Sequence, residues 1–443
     1  MRIKIALIVA MIVLLCGCGQ ASIDASFRAP ELPEEYVEFN DEIEKIKNEG
    51  FELVSPNGGT NRQSVQLTDL DNDGIDEGVA FFKETGGEHK VYAYFFEQSE
   101  DGYKISAKIE GSGDTVENVT YSDLMGSGSN EIIIGWSLSD SGARSVGVYS
   151  LNDNDAIKLC EVNSLYHVVC DLDNDMISDL CVVYEDPADG LQKIALYSLS
   201  EESFQFRASA PLSRNSDTIL RIRAAYIGDM QPAVFVEKKY GSAGIITDVI
   251  AWKETYLKNM TYSDASGNSD ETARGYESYA EDVDFDGALE IPMPRAVTNA
   301  NLLAEGQTLP EISWYGFVND RYQIKEYTFR SGTERWTLSI PRDWQGRCTA
   351  IYHKQNSTNI TTFYSYNADG TSEELFGIVT FTGENRESNA EKAGYTKVLE
   401  KNGTLYGVKI TKNRYLGYDI TPELIAERIS YRENEWSTGE VVF

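Results

Sequence analysis

Three acidic strings repeat along the chain with carboxylates at fixed positions. Residues 69–77, 171–179 and 282–290 each carry Asp or Glu at positions 1, 3, 5 and 9, and position 7 offers a backbone carbonyl. In one tight loop these groups can surround a hard cation with the roughly six to eight oxygens that Ca²⁺ takes. The spacing therefore predicts calcium binding, with up to three ions in the chain.

The predicted ligands are the side chains at positions 1, 3, 5 and 9 and the carbonyl oxygen at position 7. The other interpretation is an acidic turn that binds nothing, because Asp, Asn and Gly are also common turn residues. A turn does not require a carboxylate at position 9, however, and three regularly spaced copies favour metal binding. In chain order the ligands are Asp69, Asp71, Asp73, Ile75 and Glu77; Asp171, Asp173, Asp175, Ile177 and Asp179; and Asp282, Asp284, Asp286, Ala288 and Glu290.

An EF-hand is the nearest competing type of loop. It places a bidentate Glu at about position 12, between two helices. Here that position is occupied by Ala80, Val182 and Met293. The residues after the first two strings, 78–82 and 180–184, are β-branched and aromatic without a helical period. We therefore expect the acidic loops to lie in β-hairpins.

The strings belong to a longer internal repeat. Aligned on position 9, five copies follow one another at intervals of 54, 48, 53 and 58 residues, at Glu77, Glu131, Asp179, Pro232 and Glu290. The second copy keeps the end carboxylates and lacks those at positions 3 and 5, and the fourth has lost nearly all of them. Numbering the loops by copy, we expect calcium in loops 1, 3 and 5 and none in loop 4.

Each copy continues into apolar runs separated by turn residues, for example 91–95 and 146–149. Four strands per unit, with the acidic loop joining the first pair, is the pattern of a β-propeller blade. The loops resemble the FG-GAP or VCBS-type repeat, the calcium-bearing blades also found in integrin α subunits, over about residues 60–330. The resemblance implies calcium on the carboxylates named above. Loop 3 departs from the family pattern at Met176, because the sharp turn usually has Gly at this position, and we expect a strained backbone nearby.

The predicted fold is mainly β, a β-propeller of about five or more four-stranded blades followed by a smaller α+β domain. We place the N-terminal helix and lead-in at residues 34–59, the propeller at 60–330 and the α+β domain at 331–443. The helix covers residues 34–48, and Gly50 closes it. A later helix begins with Thr421 as its N-cap and Pro422 as its first residue.

The beginning of the chain is typical of an export signal. Arg2 and Lys4 precede an apolar stretch over residues 5–15, which is too short for a comfortable membrane span. Residues 15–18, Leu-Cys-Gly-Cys, resemble the bacterial lipobox, which implies cleavage after residue 17 and a lipid on Cys18. Residues 18–33 then suit a tether. We expect a lipid-anchored protein on the extracytoplasmic face of a bacterial membrane.

The charge of the chain narrows the choice of partners. Its formal net charge is −32, and without residues 1–17 it becomes −34, because 37 basic residues then accompany 71 acidic ones. Nucleic-acid binding needs a basic surface, so we expect no nucleic acid among the partners. The same excess of acid fits a chain whose carboxylate clusters are neutralised by bound cations.

The sequence carries none of the usual catalytic motifs. Its three histidines, His89, His167 and His353, are scattered, and we find no G-x-S-x-G, H-E-x-x-H or phosphate-binding glycine loop. We therefore expect a non-enzymatic module that binds an extracytoplasmic protein or glycan. Two alternatives stay open: an enzyme that acts on cell-surface polysaccharide through the propeller channel, and a structural accessory of an envelope assembly.

Overall fold

The computed structural model describes residues 34–87, 89–99, 102–152, 155–200, 203–216, 218–297, 306–355, 358–367 and 371–432. The predicted signal peptide, the tether and Cys18 lie outside these residues. Within the described part of the chain, no helix is long and apolar enough to cross a membrane.

The described chain is mainly β, and most of it forms five consecutive antiparallel sheets that we call blades 1–5. Blade 1 contains one more strand than the four of a simple meander, because β1 and β2 pair with different parts of the same edge of β3. Its strands are β1 (Phe51–Leu53), β2 (Val65–Thr68), β3 (Glu77–Glu84), β4 (Val91–Ser99) and β5 (Gly102–Glu110).

Blades 2, 3 and 4 are four-stranded meanders in which each strand pairs with the next along the chain. Their β-branched and aromatic strands are joined by short turns, which is the local pattern that favours antiparallel pairing. Blade 2 is β6 (Thr115–Ser122), β7 (Glu131–Ser137), β8 (Arg144–Asn152) and β9 (Asp155–Asn163); blade 3 is β10 (Tyr166–Cys170), β11 (Asp179–Glu185), β12 (Gln192–Ser200) and β13 (Ser203–Pro211); blade 4 is β14 (Ile219–Ile227), β15 (Gln231–Tyr240), β16 (Gly244–Lys253) and β17 (Tyr256–Asn259).

Blade 5 departs from this regular order. It runs β18-β20-β21-β22-β30, so that its last strand comes from the far end of the chain. A single bridge between Glu281 and Glu290 stands where the first strand of the other blades pairs with the second. The strands are β18 (Ile291–Arg295), β20 (Glu311–Val318), β21 (Arg321–Ser331), β22 (Trp336–Ser339) and β30 (Ile429–Tyr431).

A six-stranded C-terminal sheet follows blade 5, in the order β19-β23-β24-β25-β27-β26. Two short helices accompany it, and the second has Thr421 as N-cap and Pro422 in its first turn, as predicted. The elements are β19 (Gln307–Leu309), β23 (Cys348–Gln355), β24 (Thr358–Ser365), β25 (Glu374–Thr382), β26 (Thr396–Lys401), β27 (Thr404–Ile410), a small hairpin of β28 (Arg414–Tyr415) and β29 (Tyr418–Asp419), and helices α2 (Arg386–Lys392) and α3 (Pro422–Arg428).

Helix α1 (Glu34–Asn48) has the predicted bounds and covers the outer face of blade 1. Its buried Phe39, Ile43 and Ile46 pack on aromatic side chains of that blade. The ring of Phe39 lies 5.1 Å from that of Phe96 and approaches Gly78 so closely that a Cβ there would be 2.6 Å from the ring. The absence of a side chain at Gly78 therefore allows helix α1 to pack this close to the sheet.

Apolar clusters fill the spaces between neighbouring layers, from α1 and blade 1 through to blade 5 and the C-terminal sheet. The last of these clusters combines Phe329 and Trp336 of blade 5 with Phe363 and Phe376 of the C-terminal sheet. Among the described residues, no cluster joins the C-terminal sheet to blade 1. The mainly β fold with propeller-type blades is as predicted, and its layers share their cores in chain order.

Candidate metal centres

Each acidic loop occupies the same place in its blade. Loops 1 and 3 connect the first and second strands, and their position 9, Glu77 or Asp179, is the first residue of the second strand. In blade 5 the corresponding Glu290 immediately precedes β18. Loop 4 has become a tight turn in which Ile227 pairs with Gln231.

The carboxylate at position 1 organises the loop by accepting hydrogen bonds from backbone N–H groups inside it. Asp171 accepts from Asp175 at 3.0 Å and from Met176 at 2.8 Å. A carboxylate that accepts such bonds substitutes for a regular turn and fixes the path of the chain. The equivalent bonds run from Gly74 to Asp69 at 3.0 Å and from Asp286 and Gly287 to Asp282 at 3.2 and 3.0 Å.

The carboxylate at position 9 closes the loop from the other end. In each of the three loops it accepts a hydrogen bond from the backbone N–H of position 2, so the second strand begins next to the start of the loop. The bonds are Leu70 to Glu77 at 2.7 Å, Leu172 to Asp179 at 3.1 Å and Val283 to Glu290 at 3.1 Å.

Three of the four predicted carboxylates converge in every loop. Positions 1, 3 and 9 each bring one oxygen within 4.8 Å of the other two, in the groups Asp69, Asp71 and Glu77; Asp171, Asp173 and Asp179; and Asp282, Asp284 and Glu290. The carboxylate at position 5 is outside these groups and accepts from the N–H of position 7. Those bonds join Asp73 to Ile75 at 2.7 Å, Asp175 to Ile177 at 2.9 Å and Asp286 to Ala288 at 2.9 Å.

The path of the loops requires positive φ at positions 4 and 6. Position 6 is Gly74 or Gly287 in loops 1 and 5, with φ of 90° in both. Loop 3 has Met176 there, with φ of 73° and the side chain in solvent. The strain predicted for this loop is confirmed, since a residue with a Cβ is disfavoured in the left-handed region.

Burial makes the position 9 carboxylates costly to ionise. It raises the pKa of Asp179 to about 6 and that of Glu290 to about 7. Burial also raises the pKa of Glu77, and the neighbouring carboxylates add to that shift. A divalent cation among these oxygens would favour the ionised forms.

Two carboxylate oxygens are buried without a hydrogen-bond partner in the described structure, Oδ1 of Asp69 and Oδ1 of Asp173. A buried acceptor that is left unsatisfied is unfavourable, and a cation would satisfy it. The donor set of carboxylate oxygens is the one that hard cations such as Ca²⁺ prefer. Loops 1 and 3 therefore fit a calcium ion.

The loops differ in the positive charge that the protein itself places beside them. Arg207 Nη1 lies 2.6 Å from Oδ2 of Asp173 in loop 3, and Lys325 Nζ lies 3.1 Å from Asp284 and from Glu290 in loop 5. Sequence reasoning missed both residues, because Arg207 lies on β13 and Lys325 on β21, far along the chain from their loops. Neither had a recognisable signal in the motif.

No protein-family model matches this chain, and no curated protein matches it. Similar solved structures include a Bacillus licheniformis rhamnogalacturonan lyase, at 9% identity over 84% of this chain and 93% of that one, with a TM-score of 0.32. Sqt1 of Saccharomyces cerevisiae is 9% identical over 81% of this chain and 100% of its own, with a TM-score of 0.31. A protein from Lactobacillus plantarum is 10% identical over 70% and 82%, with a TM-score of 0.28. Similarities this low support no functional argument.

Proposed function

We propose that this chain is a lipid-anchored, extracytoplasmic binding module whose propeller-type blades are stabilised by calcium and which engages a protein or a glycan. One observation carries the proposal. The same arrangement of three converging carboxylates recurs at the same point of blades 1, 3 and 5. A feature repeated at the same point of three blades suits a structural role better than a single catalytic one.

Calcium acts in this proposal as a local clamp. Position 9 is both a ligand and the start of the second strand, or its immediate neighbour, so a bound ion ties the strand to the loop that precedes it. The ion also offsets the repulsion between the carboxylates of one loop. An ion bound only by the folded state raises its stability.

The beginning of the chain supports a position outside the cell, and the net charge narrows the class of partner. The lipobox-like residues 15–18 support lipidation of Cys18, and residues 18–33 give the folded part some reach from the membrane. The strongly acidic chain disfavours anionic polymers such as nucleic acid. A neutral glycan or a protein surface is the better partner.

A polar cleft beside loop 1 supports the choice of a glycan. It has a volume of about 430 Å³ and is lined by loop 1, including its predicted ligands, by β4 of blade 1 and by blade 2. Among its lining residues are Asp71, Gln98, Asn130 and Asn152. Side-chain amides and carboxylates provide the donors and acceptors that pair with sugar hydroxyls.

The proposal is tested with the soluble chain that starts after Cys18. We would measure its retention on purified envelope polysaccharides and on immobilised envelope proteins, with calcium and with a chelator, and assay the polysaccharides for released oligosaccharides. Calcium-dependent retention without release supports a binding module. Release of oligosaccharides identifies an enzyme instead, and no retention on either surface refutes the proposal.

The cleft provides a matched pair of variants for that experiment. Gln98→Ala removes a lining amide, whereas Asn389→Ala removes an amide from helix α2, far along the chain. Affinity for the polysaccharide should fall about two- to tenfold for the first, the loss of roughly one hydrogen bond, and stay unchanged for the second. Equal retention of both variants would exclude the cleft as the glycan site.

A further inference from the structure

Four blades share an irregularity in the hairpin that follows their two central strands. The register shifts at the equivalent place between β4 and β5 of blade 1, β8 and β9 of blade 2, β12 and β13 of blade 3, and β20 and β21 of blade 5, which leaves one residue of the later strand without a partner across the sheet. A bulge of this kind redirects the side chain of its extra residue. In chain order the extra residues are Ser106, Leu159, Arg207 and Lys325.

In blade 5 the redirected side chain enters the acidic loop. Nζ of Lys325 lies 3.1 Å from Oδ2 of Asp284, 3.1 Å from Oε1 of Glu290 and in close contact with Asp286. The Lys325 side chain is 17% exposed and that of Glu290 only 1%. The ammonium group therefore lies where the ligand oxygens of loop 5 converge.

In blade 3 the equivalent residue reaches the edge of its loop. Arg207 contacts Asp173 through one carboxylate oxygen, and it stacks on the ring of Trp252 at 4.6 Å. The side chain of Asp173 is 9% exposed, and its other oxygen, Oδ1, stays buried without a partner. Loop 3 thus keeps an unsatisfied acceptor that an ion could bind.

In blades 1 and 2 the bulge residue is uncharged. In blade 1 the bulge residue is Ser106, and no Lys or Arg of the described residues forms an ion pair with the carboxylates of loop 1. In blade 2 the bulge residue is Leu159, which packs in the apolar cluster that contains Leu124 of loop 2. Loop 2 lacks carboxylates at positions 3 and 5, so it needs no cation.

Loop 5 has a second protein cation on its backbone side. Arg432 donates from Nη1 to the carbonyl of Asp282 at 3.0 Å and from Nη2 to that of Val283 at 2.5 Å. Its guanidinium group lies 4.3 Å from the centre of the Phe285 ring. Lys325 and Arg432 together hold the loop from two sides and join it to the C-terminal segment.

We propose that the bulge residue selects the cation of each blade: loop 5 uses the Lys325 ammonium group as a built-in cation and binds no calcium, whereas loops 1 and 3 bind one ion each. A calcium ion in loop 5 would have to displace the lysine or lie beside a like charge, which is unfavourable at these distances. This inference rests on the calcium-binding part of the proposed function.

Counting the bound ions tests the proposal. We would measure calcium per chain in the purified protein by native mass spectrometry and by calorimetric titration, and expect two ions. Lys325→Ser gives blade 5 the bulge residue of blade 1, and should raise the count to three. Ser106→Lys makes the reciprocal change, and should lower it to one. Lys193→Met is the control, because Lys193 pairs with Asp186 and Asp189 in an ordinary hairpin, and should leave two ions.

Thermal unfolding in chelator separates this inference from the calcium proposal. Lys325→Ser should unfold at a lower temperature than the unsubstituted protein in chelator, because the loop 5 carboxylates lose their cation, and added calcium should restore the loss. Three ions in the unsubstituted protein, or no gain in Lys325→Ser, would overturn the selection by the bulge residue. The absence of bound calcium from every variant would refute calcium binding itself. In that case the unfolding temperature in chelator still tests the ammonium group, and an unchanged temperature for Lys325→Ser would refute its role.

Discussion

At the scale of single residues, the carboxylates of the loops divide into those that shape the loop and those that complete the ion site. Positions 1 and 9 accept backbone hydrogen bonds in loops 1, 3 and 5, and Asp123 and Glu131 do the same in loop 2, which has no carboxylate between them. The shape of the loop therefore does not depend on position 3. Position 3 contributes negative charge and one of the three converging carboxylate oxygens.

Asp71→Asn should remove calcium binding at loop 1 while keeping the fold of the loop. Oδ1 of Asp71 accepts from the backbone N–H of Asp73 at 3.1 Å, and an amide oxygen can make the same bond. With calcium at about one hundred times its Kd, loss of one site should lower the free energy of unfolding by about 2.7 kcal/mol. Urea unfolding with calcium and with chelator measures this difference.

The control for that variant is Asp123→Asn in loop 2, where the same kind of substitution changes a loop without the acidic centre. It should leave the calcium-dependent part of the stability unchanged. If the two variants lose equal calcium-dependent stability, loop 1 does not hold an ion.

His167 should make the protein less stable in acid. Burial lowers its pKa to about 4, whereas an unfolded histidine titrates near pH 6.5, about 2.5 units higher. Between these values the unfolded chain binds a proton that the folded chain does not, so stability falls as the pH drops from about 6.5 to about 4. His167→Gln should remove up to about 3 kcal/mol of that fall. Urea unfolding of both proteins across this range measures it, and parallel curves would exclude the effect.

At the scale of elements, the first hairpin of blade 2 depends on the carboxylate at position 9 although loop 2 lacks the carboxylates at positions 3 and 5. Glu131 is 1% exposed and accepts from the N–H groups of Leu124 and Met125 at 2.9 and 3.1 Å. Its removal leaves buried donors unsatisfied at the base of β6 and β7.

Glu131→Ala should therefore destabilise the protein by about 2–4 kcal/mol, because one buried and one half-buried N–H group lose their acceptor. Glu131→Gln, which keeps one acceptor oxygen, should cost less than half as much. Both losses should be the same with calcium and with chelator, as measured by urea unfolding. A loss that appears only in calcium would mean that loop 2 binds an ion after all.

The elements also show how far the sequence alone could predict the structure. Helix α1, the hairpin position of the acidic loops and the N-cap at Thr421 followed from local patterns, and the structure confirms all three. The roles of Arg207 and Lys325 could not be predicted, because a bulge is defined by the register between two strands and neither strand shows it alone. The position 5 carboxylates stay predicted ligands: each uses Oδ1 to accept from the N–H of position 7 in an Asx-type turn, a bond that the sequence pattern alone did not show.

At the scale of the whole molecule, the order of the layers follows the order of the chain. Each apolar cluster joins one layer to the next, and the C-terminal sheet shares the core of blade 5 through residues such as Trp336 and Phe363. Sequence patterns showed the blades, but this shared core is a product of tertiary packing.

Cys18→Ser tests the placement of the molecule. If Cys18 carries the lipid, the serine variant should leave the membrane fraction and lose incorporation of a labelled fatty acid, while its thermal unfolding with calcium stays unchanged. Cys348→Ser is the control for loss of a cysteine, since Cys348 is buried and free in the C-terminal sheet. Membrane association of both variants would mean that Cys18 is not the anchor.

The packing of α1 on blade 1 has a mechanical consequence for a protein anchored in this way. Tension between the membrane and a bound partner would reach the folded part through α1, whose described residues Phe39, Ile43 and Ile46 pack on blade 1. These three contacts would separate before any strand pair of a blade is pulled apart, because a blade is held by several rows of backbone hydrogen bonds. Helix α1 would thus detach first, which lengthens the tether under load and leaves the blades folded.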